Sequence, residues 1–362
     1  MLNSTSVNTR TLKLVEAYVL HRDGVAKKSL GQHGDALISL QKALPIRRDL
    51  LGENHLDTAS TYNHLGMVYH EQGDEVRALE YYEKALAVKM NVLGEFHPST
   101  AFSYYNIGSV YKDQGNYAKA IEFYKKSLSV QRAVLGLNHL STATSYNNIG
   151  GVYNEQGNFE RALENYEKAL AVYKSLLGEK HLMTATSYNN IGDVYSNQGD
   201  KAKALEYYEI ALVVTRDAVG NNHSSTATAY NNIATVHYSQ GDKVHALEYY
   251  EKALAVFRAV LGDKHPSTAA SYNSIGHVYA NQGNYVRALE YYEKALAVRK
   301  VLLGDSHPPT ATSFNNIGAV YKYQGDYARA LEYYEKALAV QSWNLKQGKV
   351  INEAVTDEGF VF

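Results

Sequence analysis

The sequence contains no cysteine. Disulfides, thiolate metal sites and cysteine nucleophiles are therefore excluded. It also lacks a dominant charge, with 36 basic and 37 acidic residues for a net charge of -1. No run of Lys and Arg exceeds two. With neither an overall field nor a basic tract, nothing steers the chain toward nucleic acid or an anionic membrane. No apolar run approaches the length of a membrane span. Glu16 interrupts the only greasy stretch near the start, so no secretory leader is expected and a cytoplasmic location is. Strand signals are absent, and so are the glycine motifs that cradle phosphates between a strand and a helix.

What the sequence does hold is tyrosine, 32 of them against a single tryptophan. Such a bias points to one unit copied many times. Tyr62, Tyr104, Tyr146, Tyr188, Tyr230, Tyr272 and Phe314 stand 42 residues apart. His55, His97, His139, His181, His223, His265 and His307 keep the same step, as do Gly73, Gly115, Gly157, Gly199, Gly241, Gly283 and Gly325. A degenerate first unit precedes them, with Gly24, Ala36, Leu37, Ala43 and Leu44 in register.

Each unit predicts two helices. Ala143, Tyr146, Ile149, Gly150 and Tyr153 fall on one helical face, and Ala162, Leu163, Tyr166, Ala169, Leu170 and Tyr173 on a second. Gly157 suits the left-handed position that ends helix A, and Gly178 closes helix B. Gly66, Gly108, Gly150, Gly192, Gly276 and Gly318 lie inside helix A, where glycine costs roughly 1 kcal/mol relative to Ala. Close approach of two helices explains them, with Ala78, Ala85 and their counterparts expected opposite.

The pattern Tyr146-x2-Ile149-Gly150-x2-Tyr153 followed by Ala162-x3-Tyr166-x2-Ala169 resembles the tetratricopeptide repeat signature. The longer unit, with its loop Leu93-Gly94-Glu95-Phe96-His97-Pro98-Ser99-Thr100-Ala101, is similar to the repeats of kinesin light chains and nephrocystin-3-type proteins. The resemblance implies an all-α, right-handed superhelical solenoid of eight helix–turn–helix repeats. The array is expected over residues 13–345, with an extension at 1–12 and a tail at 346–362. Neither end is long enough to hold a catalytic core. The tail is expected to cover the last repeat, to let that end pair with another molecule, or to stay disordered.

No catalytic constellation stands out, and no cofactor is expected. The repeated histidines are the one tempting metal set. Zinc ligands lie about 2 Å from the ion while packed helix axes are about 8–10 Å apart, so equivalent histidines in successive repeats cannot share a metal. Pro98, Pro266 and Pro308 follow three of them, as at the first position of a helix. The histidine is therefore expected to end the loop and cap helix A.

Function is expected on the second face of helix A. The resemblance implies that this face lines the concave side, where tetratricopeptide proteins commonly bind peptides. Its first position reads Asn63, Tyr105, Asn147, Asn189, Asn231, Asn273 and Asn315, and an Asn amide can both donate to and accept from a peptide backbone. Bonding within the array is the competing use of the same amides. Adjacent Asn106, Asn148, Asn190, Asn232 and Asn316 are expected to serve packing between repeats. Other positions differ between copies, as selectivity requires: Asp193 and His277 at the second, Lys112 and Tyr238 at the third. The face is not clearly basic, which argues against the acidic cargo peptides of kinesin light chains. The sequence thus predicts a non-enzymatic adaptor for a peptide or partner protein. The alternatives are a self-associating array joined through its ends and a cargo adaptor of the kinesin light chain type.

Overall fold

The computed structural model describes residues 2–346, which form sixteen helices without a strand among them. The protein is an all-α solenoid of helix pairs, divided into two compact units, Met1–Leu176 and Leu177–Phe362. The first unit holds α1 (Leu2–Ser29), α2 (His33–Leu51), α3 (Leu56–Glu71), α4 (Glu75–Leu93), α5 (Pro98–Asp113), α6 (Tyr117–Leu135), α7 (Leu140–Glu155) and α8 (Phe159–Leu177, but for its last residue). The second holds α9 (Leu182–Asn197), α10 (Lys201–Val219), α11 (Ser224–Ser239), α12 (Lys243–Leu261), α13 (Pro266–Asn281), α14 (Tyr285–Leu303), α15 (Pro308–Tyr323) and α16 (Tyr327–Lys346). Odd-numbered helices are helix A of each repeat and even-numbered ones helix B. After α1, every helix A has 16 residues, and α2 to α14 as helix B have 19. α1 runs through residue 12 without a break, so most of the N-terminal extension is the leading part of the first repeat's helix. The tail beyond Lys346 lies outside the described residues.

The turn from helix A to helix B needs only three residues, two of which do double duty. Gly73 takes φ 74°, and its N–H reaches the His70 carbonyl at 2.9 Å while the Asp74 N–H reaches that of Tyr69 at 2.9 Å. These bonds satisfy the last carbonyls of α3. Asp74 is also the N-cap of α4, its Oδ1 accepting the Arg77 N–H at 3.1 Å.

The loop into the next helix A is fixed by two side chains. A buried threonine bonds back to the glycine carbonyl that ends helix B, as Thr100 does to Gly94 at 2.9 Å. The repeated histidine is the N-cap: in six repeats its Nδ1 accepts the backbone N–H two residues on, at 3.1 Å each time. His307 makes no such bond. The residue two positions on is Pro309, which has no N–H to give.

The glycines inside helix A meet a different neighbour from the one expected. A Cβ at Gly150 would stand 2.9 Å from Cδ1 of Tyr166, and one at Gly108 would stand 2.7 Å from Cδ1 of Tyr124. The tyrosine ring of helix B, not an alanine side chain, packs against the helix A backbone. Within each unit such a ring joins its own helix A to the following one. In the first unit Tyr82 packs with Tyr69, Ala78, Ile107 and Val110, and in the second Tyr208 packs with Ala204, Ile233 and Val236. Burying one such large side chain contributes about 1.5–3 kcal/mol. That exceeds the local helix propensities by several-fold, so stacking, not propensity, holds each pair in place.

Candidate functional site

Each unit's helix A face is organised by contacts 43 residues apart, one more than the repeat length. In the first unit Asn106 Nδ2 donates to Asn63 Oδ1 at 2.9 Å. In the second, Asn316 Nδ2 donates to Asn273 Oδ1 at 2.8 Å, and Asn232 reaches Asn189 at 3.5 Å. The second Asn of one repeat thus reaches back to the first Asn of the preceding repeat. Asn63 and Asn273 are buried, and their carbonyls are already used inside the protein. Asn147, Asn189, Asn231 and Asn315 are half-buried.

The ladder breaks twice. Tyr105 stands where an Asn carbonyl would, and Asn148 Nδ2 is buried without a partner. The Tyr105 ring instead packs against Phe102 and Tyr124, with centroids 6.1 and 5.6 Å away. Ser274 replaces the Asn that would reach back to Asn231, and Asn231 Oδ1 is buried without a partner. Most buried polar groups find a hydrogen bond, so both orphans mark real defects in the ladder.

The second variable position is tied to the core of its own repeat. Asp193 Oδ1 accepts the Tyr208 hydroxyl at 2.6 Å, Thr235 meets Tyr250 at 3.0 Å, and His277 Nδ1 meets Tyr292 at 3.0 Å. Ser109 does the same with Tyr124. In these four repeats the residue here faces the hydroxyl of the tyrosine that packs under helix A. Burial pushes the Asp193 carboxyl above the usual carboxylate range, opposed by its bond from Tyr208.

The third position follows the 43-residue step again, now with charge. Lys28 pairs with Glu71 at 2.7 Å, His70 with Asp113 at 2.7 Å, and Lys112 with Glu155 at 3.0 Å, all in the first unit. In the second unit Asn281 Nδ2 donates to the Tyr238 hydroxyl, and burial raises the Tyr238 pKa above its ordinary value. At these four steps a difference between copies is matched by a difference one repeat later. The sequence carried that signal as opposite charges 43 residues apart. It is invisible when the positions are compared only at the 42-residue period.

At the step after Tyr238 and Asn281 the match fails. Ala280 faces Tyr323, and too little side chain is present to close the face. A cavity of about 370 Å³ opens there, lined by His277, Ala280, Asn281, Tyr285, Asn316 and Tyr323 among others. The rings of Tyr285 and Tyr323 lie parallel, 5° apart in plane with centroids at 6.2 Å. The cavity therefore offers two aromatic walls and, on the helix A side, the polar edges of His277, Asn281 and Asn316. Of the residues expected to bind a ligand, His277 lines this space, while Lys112, Asp193 and Tyr238 are engaged with Glu155, Tyr208 and Asn281.

No helix among the described residues is long and apolar enough to cross a membrane.

Comparison with known proteins agrees with this architecture. The tetratricopeptide repeat model matches residues 17–91, 77–133, 99–175, 141–217, 184–259, 225–300 and 267–342. Photosystem I assembly protein Ycf3 of Synechococcus sp. (strain CC9311) is 34% identical over 65 residues, which is 18% of this chain and 35% of that protein. The chain thus spans about a third of the length of the curated relatives it matches. Among solved structures, BtubC (BKLC) from P. vanneervenii is similar with a TM-score of 0.55 at 23% identity, over 68% of this chain and 96% of that one. A Podosopora anserina putative kinesin light chain with nearly identical TPR-like repeats has a TM-score of 0.51 at 23% identity, over 57% of this chain and 98% of that one.

Proposed function

For a chain that belongs to the tetratricopeptide repeat family, and so is built as a protein–protein interaction scaffold, we propose a non-enzymatic adaptor that takes an extended peptide on the helix A face of its second unit. The observation that carries this reading is the cavity at the Ala280–Tyr323 step. Elsewhere in the second unit variable side chains of helix A have partners within the protein, as Asp193 has Tyr208 and Tyr238 has Asn281. Here the parallel rings of Tyr285 and Tyr323 leave room for an apolar or aromatic side chain, and Asn281 and Asn316 stand beside it with amide groups suited to a peptide backbone. Asn189, Asn231, Asn273 and Asn315 lie along the same face, with Asn189, Asn231 and Asn315 half-buried and Asn273 buried. In the first unit Asn63, Tyr105, Lys112 and Asn147 form the corresponding face, with Lys112 held by Glu155.

The test is a displayed library of random extended peptides panned against the whole chain, followed by affinity measurement for the enriched sequences. Ala280→Trp and Ala319→Phe fill the cavity from two neighbouring helices. Each should weaken the selected peptides at least about tenfold, or 1.4 kcal/mol, without lowering the unfolding midpoint. If the peptides bind both variants as they bind the parent chain, the cavity is not the site.

A further inference from the structure

One contact recurs where helix A meets helix B. A cation in the first turn of helix B lies over a tyrosine in the last turn of helix A. Arg77 stands 5.3 Å from the Tyr69 ring, Lys119 4.8 Å from Tyr111, Lys203 4.9 Å from Tyr195 and Arg329 4.4 Å from Tyr321. The α11–α12 repeat replaces both members of the contact. His237 stands in the tyrosine position and His245 in the position of the cation. Two touching positions, held as aromatic and cation in all the other full repeats, have become two imidazoles in this one alone.

Asp242 lies against both. Its Oδ2 is 2.6 Å from His245 Nδ1 and 3.5 Å from His237 Nδ1. Its Oδ1 accepts the His245 backbone N–H at 3.1 Å and so caps α12. The two rings stack with centroids 5.2 Å apart. His237 Nδ1 is buried and makes no hydrogen bond, which an ordinary packing role would not require. One ligand atom from each of the three residues lies within 4.8 Å of the other two.

We propose that His237, Asp242 and His245 bind a divalent first-row transition-metal ion, with Zn²⁺ as the probe of choice. Two imidazoles and one carboxylate form a donor set that Zn²⁺ accepts, with bonds of about 2.0–2.2 Å and a fourth position left for water. Tetrahedral bonds of that length put ligand atoms roughly 3.3 Å apart. Asp242 Oδ2 and His245 Nδ1 would part by about 0.7 Å as the ion replaces the proton they share. The cap survives, because Asp242 uses a different oxygen for it. The loop histidines are not involved, since His223 and His265 cap their own helices.

The experiment is calorimetric titration of the metal-stripped full chain with ZnCl₂, repeated with Co²⁺ to read its absorption bands. The parent chain should bind one ion with a saturable isotherm. H237Y with H245R restores the residues that other repeats carry at these positions. D242N keeps a capping oxygen, as Asn116 and Asn284 do in their own repeats. Both variants should retain the parent's unfolding midpoint and bind Zn²⁺ at least tenfold more weakly. The proposal is overturned if the parent shows no saturable one-to-one binding, or if either folded variant binds Zn²⁺ as the parent does.

Discussion

Replacing Ser274 with Asn should stabilise the second unit. At intact steps of the ladder an Asn amide donates at 2.9 Å to Asn63 and at 2.8 Å to Asn273. Ser274 is too short to reach Asn231, whose Oδ1 is buried and unpartnered. A buried acceptor left unmade costs about 1–3 kcal/mol, and an ordinary hydrogen bond contributes about 1 kcal/mol net. Fixing the new amide takes back part of this through lost rotamer freedom. The net gain expected is about 1–2 kcal/mol. The reverse change, Asn316→Ser, orphans Asn273 Oδ1 on a residue only 3% exposed, and should cost about 1–3 kcal/mol. Solenoid stability is close to a sum of repeat and nearest-neighbour terms, so the effects should stay local. Guanidinium unfolding followed by circular dichroism gives the totals, and amide hydrogen exchange in α11 and α13 gives the location. If S274N leaves exchange in those helices unchanged or faster while N316S also has no effect, the ladder contributes nothing and the reasoning fails.

Acid should loosen the first unit through His21. Burial first, then the Arg47 guanidinium, depress its pKa from 6.5 to about 3, so the folded chain holds it neutral. Between those values the unfolded chain binds the extra proton, and stability falls as pH drops from 6.5 toward 3. From pH 6.5 to 5 the loss is about 1.6 kcal/mol unscreened and about 1 kcal/mol with solvent screening. His21→Leu should flatten the difference in urea midpoint across that interval, and an unchanged slope would assign the acid sensitivity elsewhere. The tight seat of Gly150 gives a separate test. Gly150→Val should cost about 2–3 kcal/mol by forcing the Tyr166 ring away, whereas Gly150→Ala should cost under about 1 kcal/mol. The chain itself makes the second substitution in another repeat, where Ala234 packs in one cluster with Tyr250. Equal melting temperatures for the two variants would show that the approach is not close.

Much of the fold was legible because its determinants lie within one repeat. The spacing of Tyr146, Ile149 and Tyr153 sets the buried stripe of α7, His139 caps that helix, and Gly157 ends the turn after it. Each acts over at most a few turns of chain. The identity of the residue against Gly150 was not local in this sense. Both Ala162 and Tyr166 lie on the facing stripe of α8, and only the packed pair shows that the ring of Tyr166 takes the space while the Ala162 carbonyl stands at 3.2 Å.

The candidate site divides the same way. The sequence by itself determined a repeated helix pair, the caps that bound each helix and the face of helix A on which the copies differ. Those follow from periodicity and from side chains bonding a few residues away. Only the tertiary structure decided which repeat each variable residue meets, because stacking offsets one helix A against the next by 43 residues where the sequence repeats at 42. That offset turns Lys112 into the partner of Glu155, withdraws Asn63 and Asn273 into the interior, opens the cavity at Ala280 and Tyr323, and leaves Asn231 unpaired.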